Sequence, residues 1–506
     1  MSGPERGPAG TWQHLAFWDN GAMALGMTQA SLPSTDLDAA SLLLAERGGG
    51  LHYAVGGGQW HIWNGQAHPP DLSGEIEKMI IGFAGRMRQM LAAAQGEVWS
   101  YAARDLPADA PPARIESVKK QAWKEWEPAA KYAAGLMRSA GRSSLSAYLA
   151  AQCGVSDEYM TEQRPGDLNH PNGTLDLATL QLRPHRMSDL ITYTLTDPWN
   201  AQATCPQFWK VLYRMTGGSY EVAEYLIKLL GYSLLGDNRE QKVVFINGPT
   251  GSGKSVILHI VSEVLGPLAH RSGSDLICVV RHGRNARTEN SIRGRRLVTI
   301  TETSKFMSID EAQLKQLTGE PVISVNRHYA KTEIRTPVSW TIWVATNDMP
   351  NLVHFDAAMR RRIIVIPGGP TVPEWETDPQ LAAKILSTER QGILALLARG
   401  CAEYFRTGLA DMPWEVRKAT EEYAAEQNTV ANFIADTMVL GGWSSEGGVQ
   451  QHQAWEAYER WSRGTTHLGR NDFMDAMALH PGVFWNKPSR RFENLAWNQD
   501  WAARVG

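Results

Sequence analysis

The sequence predicts an α/β protein in which a mainly parallel sheet is flanked by a mostly helical N-terminal domain and a small C-terminal helical or winged-helix-like domain. Three observations carry this. From "KVVFINGPTG" to "RRIIVIPGG", short apolar runs alternate with helical patterns, the signature of parallel strands joined by helices. Upstream, "SGEIEKMIIGFAGRMRQMLAAAQ" repeats Ile76, Met79, Ile80, Phe83, Met87 and Leu91 three or four residues apart, one apolar face of a helix. Downstream, the chain returns to helix and ends in a short, aromatic, strand-prone stretch, "GVFWNKPSRRFENLAWN".

In chain order, residues 1–34 are rich in Gly, Pro, Ser and Thr with weak periodicity and read as a flexible arm. Residues 35–170 form the mostly helical domain, opening with strand-like pieces around "LHYAVGGGQWHIWNG". The punctuation "RPGDLNHPNGTLDL" marks the next boundary, and residues 171–240, with the helix "EVAEYLIKLLGYSLLGD", read as a helical collar. Residues 241–372 are the α/β domain and 373–506 the C-terminal domain.

The 506 residues carry a formal net charge of −3, so contact with nucleic acid has to come from local basic clusters. No apolar run approaches the roughly 20 residues of a membrane span, and "MSGPERGPAGTW" lacks the basic-then-apolar order of a secretion signal. The chain is expected in the compartment where it is made. The four cysteines have no paired spacing, which argues against a zinc site or a disulfide framework.

"FINGPTGSGKSVILHIVSEVLG", residues 245–266, contains G-x-x-x-x-G-K-[ST] between an apolar strand and an apolar helix. Gly248, Pro249, Thr250, Gly251, Ser252, Gly253, Lys254 and Ser255 would wrap phosphates with backbone N–H groups at a helix N-terminus. Lys254 would neutralise the β and γ phosphates, and Ser255 would hold Mg²⁺. "RRLVTITET" is a strand ending in Glu302, 48 residues after Lys254, a candidate base acting on water and only indirectly on the metal. Thr301 stands where many such enzymes carry a metal-ordering acid. "WTIWVATNDMP" ends in Asn347, whose amide would orient water and the γ-phosphate. "FDAAMRRRIIVIP" carries Arg360, Arg361 and Arg362, one of which in a ring would reach a neighbour's γ-phosphate.

These motifs, in this order and with "LKQLTGEPVISVNRHYAKTEIRTP" among them, resemble a superfamily 3 helicase. More closely, they resemble the helicase portion of the phage, plasmid and poxvirus primase-helicase family. The likeness extends upstream through "TDLDAASLLLAERGGGLHYAVGGGQWHIWNG", "NGTLDLATLQLRPHRMSDLITYTL" and "CPQFWKVLYRMTGGSYEVAEYLIKLLGYSLLGD". It implies an AAA+-type P-loop ATPase domain and a homo-hexameric ring that uses ATP and Mg²⁺ to translocate 3′ to 5′ on single-stranded or forked DNA. The setting it implies is phage or mobile-element replication in a bacterial cytoplasm, beside a separate primase or other replication proteins and away from membranes. The primase half of the longer family members is not recognisable, so no primase activity is expected. Carried over, Lys254 and Ser255 are the phosphate-loop pair, Glu302 the acid, Asn347 the sensor, and Arg361 or Arg362 the arginine acting across the interface.

A DNA-gripping hairpin is expected between Glu302 and Asn347, with Arg327, His328 and Lys331 around Tyr329 at its tip, cations tracking phosphates and a ring stacking on a base. "RHGRNARTENSIRGRR" has six arginines against one acid and reads equally as a solvated loop or as an interface or DNA contact. Most of the 19 tryptophans read as core. The alternatives to a helicase are an ATPase that loads or remodels replication proteins without unwinding, and an ATP-locked DNA-binding ring scaffold.

Overall fold

The computed structural model describes residues 33–95, 106–107, 109–156, 164–279, 286–301, 307–325, 334–352, 356–427, 429–441, 448–462 and 468–501. It divides into two compact units, residues 1–160 with 185–193, and residues 161–184 with 194–506.

In the first unit, α1 (Asp36–Arg47) starts at a capping box between Thr35 and Asp38 and stops at Gly48, whose φ is +62°. Strands β1 (Leu51–Ala54) and β2 (Gln59–Ile62) pair antiparallel. After them come α2 (Glu75–Gln95), α3 (Pro112–Leu136), α4 (Ser139–Gln152) and the two-residue β3 (Gly154–Val155), parallel to β1. The apolar stripe of α2 is the centre of this core: Ile76, Ile80, Phe83, Met87 and Leu91 are buried with Leu43 of α1, Ala129 and Ala133 of α3, and Leu145 and Leu149 of α4, while Met79 packs at the edge. Helical periodicity at that position therefore has its expected consequence, a four-helix cluster around one face.

The second unit opens with an antiparallel sheet of β4 (Asp167–His170), β5 (Gly173–Asp176) and β6 (Leu182–Arg183). The stretch read as the start of a helical collar is thus strand. The turn residues of "HPNGTLDL" join two largely buried runs, and hairpin pairing follows. Helices α5 (Pro206–Met215) and α6 (Tyr220–Ser233) complete this part. From Val222 onward every residue of α6 except Glu224 is buried. A helix buried all round needs partners on every side, and α12 (Arg390–Thr407) supplies the largest contact. Gly231 and Gly400 permit it: a Cβ on Gly231 would lie 2.3 Å from the backbone N of Cys401, and one on Gly400 would lie 2.5 Å from the carbonyl oxygen of Ile227.

The central sheet has the order β13-β7-β12-β9-β8, all parallel. Its strands are β7 (Val243–Asn247), β8 (Ala269–Arg271), β9 (Leu297–Ile300), β12 (Thr341–Thr346) and β13 (Ile363–Pro367). Helix α7 (Lys254–Leu265) links β7 to β8, and the short α8 (Ala286–Ser291) precedes β9. Between β9 and β12 lie α9 (Glu311–Gly319) and an antiparallel hairpin of β10 (Val322–Val325) and β11 (Ile334–Pro337). The one-turn α10 (Ala357–Arg360) leads into β13. β7, β9 and β12 read as continuous apolar runs because both faces are covered. Trp340 and Trp343 are fully buried here and donate their indole N–H groups to the Leu317 carbonyl and the Ser233 hydroxyl.

Helices α11 (Leu381–Thr388), α12 and α13 (Trp414–Glu426) belong with this sheet: α13 contacts β13, and Tyr423 joins the sheet core. A separate core begins only at α14 (Thr429–Thr437). There β14 (Met438–Leu440), β15 (Val449–Gln450), α15 (Gln451–Trp461), α16 (Arg470–Leu479), β16 (Phe484–Asn486), β17 (Arg491–Glu493) and β18 (Leu495–Trp497) enclose Phe433, Tyr458, Phe473 and Phe492. The mix of helices with a β16–β17 hairpin fits the aromatic, strand-prone ending of the sequence.

Candidate functional site

Because the five strands are parallel, their carboxyl ends share one edge of the sheet, and strand order reverses around β7. Ligands of open α/β sheets settle at such a switch point. β7 delivers the turn 248–253 there. Gly251 and Gly253 adopt φ of +77° and +98°, left-handed values a side chain resists, and Gly253 is the N-cap of α7. Gly248 is needed for another reason: a Cβ there would lie 2.8 Å from the Cα of Gly368, at the end of β13. The turn is braced from behind by the Thr371 hydroxyl donating to the Thr250 carbonyl (2.8 Å) and the Val372 N–H donating to the Gly251 carbonyl (3.0 Å).

Lys254 is 5% exposed. Its Nζ donates to the carbonyls of Gly248 (2.7 Å) and Pro249 (2.8 Å) and lies 3.0 Å from Asn347 Oδ1 and 3.3 Å from Ser252 Oγ. Burial holds its pKa below an ordinary lysine's. The backbone N–H groups of Gly253, Lys254 and Ser255 have no acceptor among the described residues. A ring of donors around a lysine, at the positive end of a 12-residue helix, is chemistry suited to a polyphosphate.

Asn347 follows β12, one strand over, and the structure brings it to Lys254 across 93 residues of chain. Ser255 and Thr301 share a cleft of about 400 Å³ along one face of α7, with His259, Glu263, His270 and Arg271. Glu302, and the Arg327, His328 and Lys331 of the expected hairpin tip, lie outside the described residues. The two legs of that hairpin are described, Val322 paired with Pro337 and Val325 with Ile334.

Arg361 and Arg362 are not brought to this turn. They precede β13, whose Ile363 pairs with Val243 and whose Pro367 pairs with Asn247, so they stand at the opposite edge of the sheet. Five residues of strand put roughly 16 Å between the edges. The two differ sharply. Arg362 is 6% exposed, donating to Thr318 Oγ1 (3.1 Å) and the Ala358 carbonyl (2.7 Å), whereas Arg361 is exposed and donates to Gln241 Oε1 (3.0 Å). In the described part of the arginine-rich stretch before β9, three arginines bond into the fold. Arg293 donates to Thr336, Arg295 to the Pro267 carbonyl, and the buried Arg296 to the Leu234 carbonyl.

Motif reading missed Arg271, whose Nη2 donates to Thr301 Oγ1 (2.8 Å), and Thr371. The three-residue strand "AHR" is too short to announce itself, and only "IPGGPT" hinted that the chain passes close behind the turn.

Two stretches of the chain match family models. Residues 40–217 match a family described as D5 N terminal like, and residues 246–362, which include the glycine-rich turn, Asn347 and both arginines, match a family of unknown function. A helicase-named protein of Acanthamoeba polyphaga mimivirus is 25% identical over 236 residues, 43% of this chain and 24% of that protein. A helicase-named protein of Sputnik virophage is 22% identical over 182 residues, 34% of this chain and 23% of that protein. The chain therefore spans about a quarter of the length of each of these relatives. Among solved structures, the apo C-terminal region of NrS-1 is 13% identical with a TM-score of 0.38, over 61% of this chain and 80% of that one. No helix among the described residues is long and apolar enough to cross a membrane. By sequence the chain is thus similar, over part of its length, to helicase-named viral proteins, and it matches a D5 N terminal like region.

Proposed function

We propose that this chain is an ATP-dependent replicative DNA helicase of the superfamily 3 kind, an AAA+-type P-loop ATPase acting as a hexameric ring that moves 3′ to 5′ on single-stranded DNA. The observation that carries the reading is the Lys254–Asn347 contact: a phosphate-loop lysine and a sensor amide, from different strands, meet at the sheet's switch point.

The residues fit ATP and Mg²⁺. Lys254 and the N–H groups of Gly253 to Ser255 would hold the phosphates and Ser255 the Mg²⁺, whose charge offsets that building on the transferred phosphoryl group. Lys254 would exchange its loop carbonyls for phosphate oxygens, and its burial makes that exchange favourable because a partly desolvated cation gains most from an anion. Asn347 would report the exchange, since its amide loses or keeps the lysine according to what the lysine holds. Glu302 supplies the base. The position of Arg361, exposed and an entire strand length from its own loop, supports a role on a neighbouring subunit's phosphate, while Arg362 holds the turn that presents it. Arg327, His328 and Lys331 at the end of the β10–β11 hairpin would grip DNA and move with nucleotide state.

The test is strand displacement of forked duplexes carrying tails of each polarity, with ATP or a non-hydrolysable analogue, comparing wild type with Glu302→Gln. Unwinding by wild type only, with ATP only and from a 3′ tail is expected. Hydrolysis without displacement would move the reading to a loader or remodeller, and no hydrolysis with DNA present would move it to a scaffold.

A further inference from the structure

The phosphate loop has two flanks, because β7 lies between β12 and β13 in the sheet. Asn347 stands on the β12 flank, against Lys254. On the other flank the chain leaving β13 stays against the turn: the Gly368 N–H donates to the Asn247 carbonyl (2.6 Å), and Thr371 and Val372 bond the carbonyls of Thr250 and Gly251. The end of α5 closes that flank. The Gly369 N–H donates to the Met215 carbonyl (2.6 Å), a Cβ on Gly253 would meet the Met215 side chain at 3.8 Å, and Arg214 pairs with Glu376. Trp375 sits between the bonded Val372 and Glu376, in the single 3₁₀ turn Glu374–Glu376. The chain on both sides of it is thus tied to the frame of the loop, yet Trp375 is 85% exposed, and its indole has no ring or hydrogen-bond partner among the described residues. Trp340 and Trp343 are buried whole in the sheet beside it. An indole gains by covering its large apolar face, so one held in water beside a ligand site offers that face to a planar ligand.

We propose that Trp375 is the base-binding residue of the nucleotide site, its indole stacking on the nucleobase of a triphosphate held by the loop of the same subunit. A nucleoside triphosphate has a terminal phosphate at one end and a nucleoside at the other. With the terminal phosphate on the Asn347 flank, the nucleoside leaves the loop on the opposite flank, where residues 368–376 run. Stacking uses a π face that every base has, so Trp375 adds affinity for a nucleotide over bare polyphosphate without choosing among bases. The Arg214–Glu376 pair would hold the turn that presents the indole. The inference rests on the nucleotide reading of the loop.

Isothermal titration of the full chain with ATP and with tripolyphosphate, each with Mg²⁺, tests it in wild type, Trp375→Ala, Trp375→Phe and Lys254→Ala, all checked by thermal melting. Trp375→Ala is expected to weaken ATP about tenfold and tripolyphosphate less than about twofold, at an unchanged melting temperature. Trp375→Phe should recover most of the loss, since a phenyl ring still offers a face. Equal losses for both ligands, or none, would overturn the assignment, as would a wild type that binds tripolyphosphate as tightly as ATP. Loss of both ligands in Lys254→Ala with Trp375→Ala at wild-type affinity would remove Trp375 and leave the loop reading standing. A wild-type chain that binds neither ligand would remove both.

Discussion

Lys254 and Arg362 are both cations buried to within a few per cent, both held below their ordinary pKa by that burial, at opposite edges of one sheet. What satisfies each is different. Arg362 is held by two helices, through the Thr318 hydroxyl of α9 and the Ala358 carbonyl of α10, and its guanidinium fills space that a Cβ on Gly319 would contest at 2.5 Å. Lys254 is held by the carbonyls of its own turn and an exposed amide, all of which can turn to water or to a ligand. A buried cation whose partners are rigid is part of the scaffold; one whose partners can be exchanged is poised for an incoming anion. Burial alone does not separate the two.

The contrast can be broken by experiment. The largest effect is expected for Lys254→Ala, which should lower kcat/KM for ATP on the order of 10⁴-fold while leaving the melting temperature nearly unchanged. A collapse of stability would put Lys254 in the same class as Arg362. Arg361→Ala should cost on the order of 10³-fold in hydrolysis with wild-type melting. Mixing it with Lys254→Ala should restore part of the activity, because some interfaces then pair an intact loop with an intact arginine; absence of rescue would argue against action between subunits. Arg362→Ala should behave oppositely. It leaves Thr318 and a carbonyl without their donor and opens space under α9, so unfolding measurements should show a loss of about 3 kcal/mol, with nucleotide binding per folded molecule retained. Asn347→Ala, which removes only the exchangeable amide, should lower kcat about tenfold with KM and melting little moved.

The smallest effect concerns pH. Because burial holds Lys254 below the 10.5 of a free lysine, the unfolded chain binds more protons than the native one between the native pKa and 10.5. Native stability therefore gains a small contribution as pH rises through that window. Denaturant titrations of Lys254→Met should lack that increment relative to wild type. An identical pH profile in both would mean the lysine is hydrated in the native state.

Much of the site was legible from local pattern. The strand, glycine turn and helix around 243–265 follow from apolar spacing and from glycines at the two left-handed positions, and both are properties of a few neighbouring residues. The placement of Asn347 at a strand end facing the turn was also legible, because a parallel strand delivers its carboxyl end to the edge its neighbours use. The arginine triplet was less readable: adjacent residues of one type differ only in which way the one-turn α10 and β13 point them. The arginine-rich stretch was also hard to read, since charge density does not tell which arginines bond into the fold, as Arg295 and Arg296 do through carbonyls.

By itself, the sequence determined the kinds of element and the local chemistry: an apolar-periodic α2, continuous apolar strands that require cover on both faces, and a turn that only glycine can make. Only the tertiary structure decided the strand order that sets Lys254 beside Asn347, the burial of α6 against α12, where Lys228 meets Thr407 from 179 residues later, the locking of Arg362, and the meeting of Arg271 with Thr301. The physical reason is range. Backbone preference and hydrophobic period act over one turn or one strand, whereas pairing and packing depend on which distant surfaces fit, and a cation's role depends on what the packing leaves around it.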